Sequence, residues 1–161
     1  MDTIWRQLGF DVPDGVEFAR VTIKLALAAV LGGAMGWERE VKGKAAGLRT
    51  HMLVAVGAAL FMMAPLEAGV PLGDLTRVIQ GVAAGIGFVG AGAILKMSDQ
   101  GHVVGLTTAA GIWMTAAIGM AVGMGRVWLP VIGAAIAVII LALLGHYRIP
   151  GSPDARDAEQ R

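Results

Sequence analysis

The residues able to do chemistry in this chain are few, and they fall into two groups. The first comprises Glu38, Arg39, Arg49, Thr50 and His51, within the polar run from Glu38 to His51. A carboxylate, two guanidiniums, a hydroxyl and an imidazole this close together can receive an anionic partner or a lipid headgroup. The plainer expectation is that Arg39 and Arg49 set topology and that Glu38 pairs with one of them, since a buried unpaired charge is strongly unfavourable. The second group is Asp74, Arg77 and Gln80. Asp74 is the best acidic candidate to meet a cation. It also suits the start of a helix, where the dipole favours a carboxylate. A small hard cation keeps several waters and takes only one or two carboxylates, so Asp74 alone could at most hold a hydrated ion. His51, His102 and His146 show no ligand spacing, and no metal is assigned. No Ser-His-Asp arrangement, HExxH helix or acidic pair within an apolar run is present, so no catalytic residue is named and no cofactor is expected. The reading is non-enzymatic.

Composition says what holds these groups. Of 161 residues, 56% are hydrophobic and 16% charged, with no cysteine and a net charge of +1. Soluble domains carry about 25% charged residues. The near-neutral balance argues against a nucleic-acid partner, and the absence of cysteine removes disulfides and thiolate sites. The Gly81–Leu95 run, GVAAGIGFVGAGAIL, contains a spacing that matches a dinucleotide-binding fingerprint. That fingerprint needs a preceding strand, an amphipathic helix and a later acidic residue. Here the glycines lie inside an uncharged apolar run long enough to span a bilayer, where the backbone must be helical.

The expected fold is all-α, a polytopic bundle of about five transmembrane helices near 21–37, 52–66, 78–95, 103–123 and 128–145. Residues 1–20 read as a periplasmic segment, with a short interfacial helix before Pro13 and Gly15 rather than a cleavable leader. Residues 21–145 form the membrane domain, and 146–161 a polar cytoplasmic tail. Lys24 is expected to snorkel outward beside Arg20, and Pro65 to mark the end of the second span. The amino end is placed outside because the other side then collects Arg39, Lys42, Lys44, Arg49 and Lys96.

Small residues mark where helices meet. Gly32 and Gly36 continue a stripe from Ala28 in the first span. Gly81, Gly85, Gly87, Gly90 and Gly92 crowd the third. Thr107, Gly111, Thr115 and Gly119 recur every four residues in the fourth. The third and fourth spans are therefore expected at the bundle centre or at a subunit contact, with Trp113 packed against other helices. Thr107, Thr108 and Thr115 either line a polar seam or bond helix backbone. Gly87→Leu or Gly111→Leu should disturb assembly more than a like change in the fifth span.

Several blocks in order carry a resemblance: GWERE (Gly36 to Glu40), AGLRTH (Ala46 to His51), LVAVGAALF (Leu53 to Phe61), DLTR with QG (Asp74 to Gly81), GIGFVGAGAI (Gly85 to Ile94) and GLTTAAGIW (Gly105 to Trp113). Together they resemble the MgtC/SapB family of bacterial inner-membrane proteins, in its short form without a soluble carboxyl-terminal domain. The resemblance implies a multi-pass inner-membrane location, a link to magnesium homeostasis and growth at low magnesium, and an association with virulence in some members. It also implies the membrane ATP synthase as a possible partner. Beside membrane lipid, self-association into a homo-oligomer is expected. The function expected first is binding to another membrane complex. The alternative is a homo-oligomeric transporter or channel for a small cation.

Overall fold

The computed structural model describes residues 13–95 and 104–144. All elements among them are helices: α1 (Gly15–Val41), α2 (Leu48–Glu67), α3 (Leu75–Leu95), α4 (Leu106–Gly123) and α5 (Trp128–Ile139), which passes into a π-helical turn at Ile140–Leu144. Helices α1 to α4 are each long and apolar enough to cross a membrane, and α5 is a shorter apolar helix. The expected interfacial helix falls mostly on residues outside the described range. So do the 96–102 loop, His102 and the whole tail.

The helices run further than the apolar stretches alone suggest. Gly15, expected to break the chain, instead opens α1, because the Asp14 carboxylate accepts the Glu17 N–H at 2.7 Å. This is an N-cap bond that satisfies one of the free amides of the first turn. At the other end α1 continues through Glu38, Arg39 and Glu40 to Val41. The polar connection is thus only residues 42–47, much shorter than the Glu38–His51 loop expected. Gly43 stops the helix with a φ of 62°, and Lys44 N–H reaches back to the Arg39 carbonyl. Left-handed residues of this kind end helices because glycine has no Cβ to clash. Pro65 lies inside the last turn of α2, which runs on to Glu67.

Helix α4 touches all four of the others, and α1 lies along α2. Two small apolar clusters fill the centre. Ala28, Ala55, Ala59 and Val122 join α1, α2 and α4. Met35, Ile118, Ala134, Ala137 and Leu141 join α1, α4 and the last helix. The axes approach closely because glycines face backbone. A Cβ on Gly32 would lie 2.6 Å from the His51 carbonyl oxygen, and one on Gly36 would lie 2.6 Å from Leu48 Cα. Gly119 and Gly123 rest in the same way on the backbone of Ala55 and Ala59.

Of the two places expected for the third span, the bundle centre is not the one it takes. Within this bundle α3 is peripheral: 6% of its apolar span is buried, against 50% for α4. A Cβ on Gly81, Gly85, Gly87 or Gly92 would meet nothing within 4 Å, and only Gly90 packs, against Ala109. Helix α3 leans on α4 through its last turns and barely touches α2, so no neighbour fills its glycine face. Among the described residues nothing meets a side chain at Gly87, whereas Gly111 lies against His51. Trp113 is likewise exposed, at 51%, rather than packed.

Candidate functional site

The two polar groups sit at opposite ends of the bundle. At one end the last turns of α1 meet the first turns of α2 and α4. Arg39 is 4% exposed, and its Nη2 donates to the Thr108 hydroxyl at 2.6 Å. His51 is fully buried. Its Nδ1 lies 2.9 Å from the Gly47 carbonyl oxygen, so Nδ1 carries the proton and donates there. The other ring nitrogen, Nε2, has no hydrogen-bond partner among the described residues. It faces Gly111, where a Cβ would lie 3.5 Å away. A larger residue at 111 would press on the imidazole.

The ion pair that Glu38 makes among the described residues is with Lys42, one helical turn on, at 2.5 Å. Glutamate four residues before lysine is the favourable order on a helix, so this pair was readable in the sequence. Lys42 was nonetheless absent from the expected set. Its ammonium also donates to the Leu141 carbonyl at 2.9 Å. That carbonyl lies in the π-helical turn, where the regular i→i−4 ladder gives way to i→i−5, so Lys42 ties the far end of the chain to α1. Glu40 takes a different role: its carboxylate accepts the Leu48 N–H at 2.7 Å and caps α2 from the preceding helix. Arg49 is exposed and Thr50 half-buried, so neither joins the buried set.

The threonine stripe of α4 splits. Thr115 is buried and donates to the Gly111 carbonyl of its own helix at 2.8 Å. Thr108 accepts from Arg39, and Thr107 is exposed at the edge of an apolar groove between α1, α4 and α5. Thr108 lies 69 positions from Arg39, and no local signal joins the two.

At the opposite end Asp74, Arg77 and Gln80 are all exposed. Helix α3 starts at Leu75, with Asp74 at its cap position and the Asp74 carbonyl accepting Arg77 N–H at 3.1 Å. Among the described residues the Asp74 and Arg77 side chains form no ion pair, and no three His, Asp or Glu side chains come together as a metal-binding group. Nearby, Lys24 reaches toward this same end of the bundle, with Nζ 3.4 Å from the Gly123 carbonyl at the end of α4 and beside the turn at Gly125. Between α2 and α3 an apolar groove of about 460 Å³ opens. Gly57, Ala58, Gly81 and Gly85 are among its small lining residues, and Phe61 and Val78 among its larger ones.

The arrangement is one of a sealed polar end and an open apolar flank. Among known proteins, residues 25–148 match the family model described as the MgtC family. The chain is 43% identical over 130 residues to the Escherichia coli (strain K12) protein named "Putative magnesium transporter YhiD", covering 76% of this chain and 60% of that one. It is 42% identical over 142 residues to Protein SrpB of Synechococcus elongatus, covering 81% of this chain and 78% of that one. It is also 42% identical over 122 residues to Protein MgtC of Brucella abortus (strain 2308), covering 74% of this chain and 49% of the relative. The chain thus spans about three fifths of YhiD and half of the Brucella protein. No solved structure matches it.

Proposed function

Since the chain belongs to the MgtC family and is a multi-pass membrane protein, we propose that it serves magnesium homeostasis without enzymatic activity, by engaging another complex in the bacterial inner membrane rather than by carrying the ion. The family membership and the magnesium named for YhiD support the link to that ion. One observation supports engagement over passage. Where α1, α2 and α4 converge, Gly32, Gly36, Gly119 and Gly123 bring helix backbones into contact, and Arg39 is held on Thr108 near the buried Glu38 carboxylate. A divalent cation that keeps several waters would have to part those close-packed backbones to pass between the helices. The ATP synthase implied by the family resemblance is the first partner to examine.

The second reading is transport, favoured by the name given to YhiD. Two measurements separate them. A strain lacking the protein should grow poorly at low magnesium, and the wild-type chain should restore growth. Liposomes containing the purified protein and a magnesium-sensitive dye should show no flux above empty liposomes. A flux above that baseline would replace engagement by transport, and normal low-magnesium growth without the protein would remove the magnesium link itself.

A further inference from the structure

The uncovered face of α3 has an internal order that its glycines alone do not convey. At 100° per residue, Asp74, Arg77, Gly81, Gly85, Phe88 and Gly92 fall within about 80° of one another around the helix. The first two are an exposed carboxylate and guanidinium at one end, without an ion pair among the described residues. The middle is open: a Cβ on Gly81 or Gly85 would meet no described residue within 4 Å. Phe88 stands out from the same face and is the most exposed large hydrophobic among the described residues, at 83%. One strip therefore holds opposite charges at one height, a shallow notch and a projecting ring.

We propose that this face receives α3 of a second copy of the same chain, side by side and pointing the same way across the membrane. Copies inserted with the same topology are related by an axis along the membrane normal, so residues of equal depth face each other. At that depth Asp74 meets the partner's Arg77, and Arg77 meets the partner's Asp74, two complementary pairs from one contact. Lower down, Phe88 of each copy packs over the open backbone near Gly85 of the other. Such a contact is self-complementary, as a two-fold interface must be. The extent is adequate. A helix of 21 residues is about 30 Å long, and α3 with the flank of α2 is about 20 Å wide. Together they offer on the order of 600 Å², close to the ~800 Å² per partner of a stable interface. Leu53 and Phe61 of α2, 73% and 64% exposed, extend that surface. The inference goes beyond the magnesium reading and does not depend on it.

The chain has no cysteine, so single cysteines report contacts cleanly. Gly81→Cys, at the centre of the α3 face and with open space around it, oxidised in native membranes, should give a product of twice the chain mass. Ile136→Cys on the exposed side of α5 should give little. Asp74→Arg and Arg77→Asp should each reduce that product, by up to about fivefold for a solvent-exposed pair, and the double variant should restore it. Gly85→Leu should abolish the product while leaving the monomer as stable as wild type, because its side chain points into open space. The proposal fails if Gly81→Cys yields no doubled product. It also fails if Ile136→Cys yields as much, if Gly81→Cys joins a different protein, or if the charge exchange gives no rescue.

Discussion

Helices α3 and α4 are nearly alike as sequences, both uncharged beyond their first turns and rich in glycine and alanine, yet they occupy opposite situations. Helix α4 has 50% of its span window buried and α3 has 6%. Glycine content therefore does not place a helix; what each glycine faces does. Gly119 and Gly123 lie on the backbone of α2, whereas a Cβ on Gly81, Gly85, Gly87 or Gly92 would meet no described residue within 4 Å. The ends differ in the same sense. The first turn of α4 takes Arg39 on Thr108, and its last carbonyl lies near Lys24. Both cations come from α1, and both intervals are 15 residues (39 − 24 and 123 − 108), about 22 Å of helix. Two antiparallel helices are thus held in register at both ends. At the start of α3 Leu75 is buried, but Asp74 and Arg77 beside it are exposed.

The sharpest way to break this comparison is the same substitution in both helices. Gly119→Leu places a side chain into the backbone of Ala55. Overpacking costs about 1–3 kcal/mol even where side chains can yield, and here backbone must move. The expected outcome is loss of the folded bundle, read as aggregation on size-exclusion chromatography in detergent. Gly85→Leu should leave that profile monodisperse. Equal loss from both would mean that α3 is as closely packed as α4 and that its open face is illusory.

The next effect in size tests the polar end. Thr108→Val removes the hydroxyl that accepts from Arg39. Hydrogen bonds to charged groups contribute about 1.5–3 kcal/mol, so thermal unfolding in detergent should shift down clearly, and Thr108→Ser should largely recover it. If valine is as stable as threonine, the Arg39–Thr108 bond contributes nothing and α4 is held by apolar packing alone.

How much of this was legible in the sequence follows the same division. The spans were readable because hydropathy and bilayer thickness act on whole segments. Gly43 as a stop was not read, because a left-handed turn depends on where the helix ends, and Glu38 to Val41 looked like loop. That one-turn error hid the site. Once α1 runs to Val41 and α2 starts at Leu48, Arg39 and His51 face inward instead of lining a solvated connection. Arg39 and His51 could be chosen as candidates for their chemistry, but their burial and the role of Thr108 depend on tertiary packing. The position of α3 was illegible for a different reason. Its composition says that it should be contacted, and nothing in a single chain says by what.

The smallest effect concerns the far end of the register. Lys24 Nζ lies 3.4 Å from the Gly123 carbonyl, beyond an ideal bond length, so the interaction is chiefly of a cation with the negative end of α4. Such interactions are worth about 0.3–1 kcal/mol and weaken with salt. Lys24→Met keeps the apolar stem and removes the charge. It should lower the unfolding midpoint slightly at low salt and hardly at all at high salt. Arg39→Met should lower it at both, because burial shields that end from salt. If the two variants respond to salt identically, the ends of α4 are equivalent. The distinction between a sealed end and a water-accessible end would then have to be withdrawn.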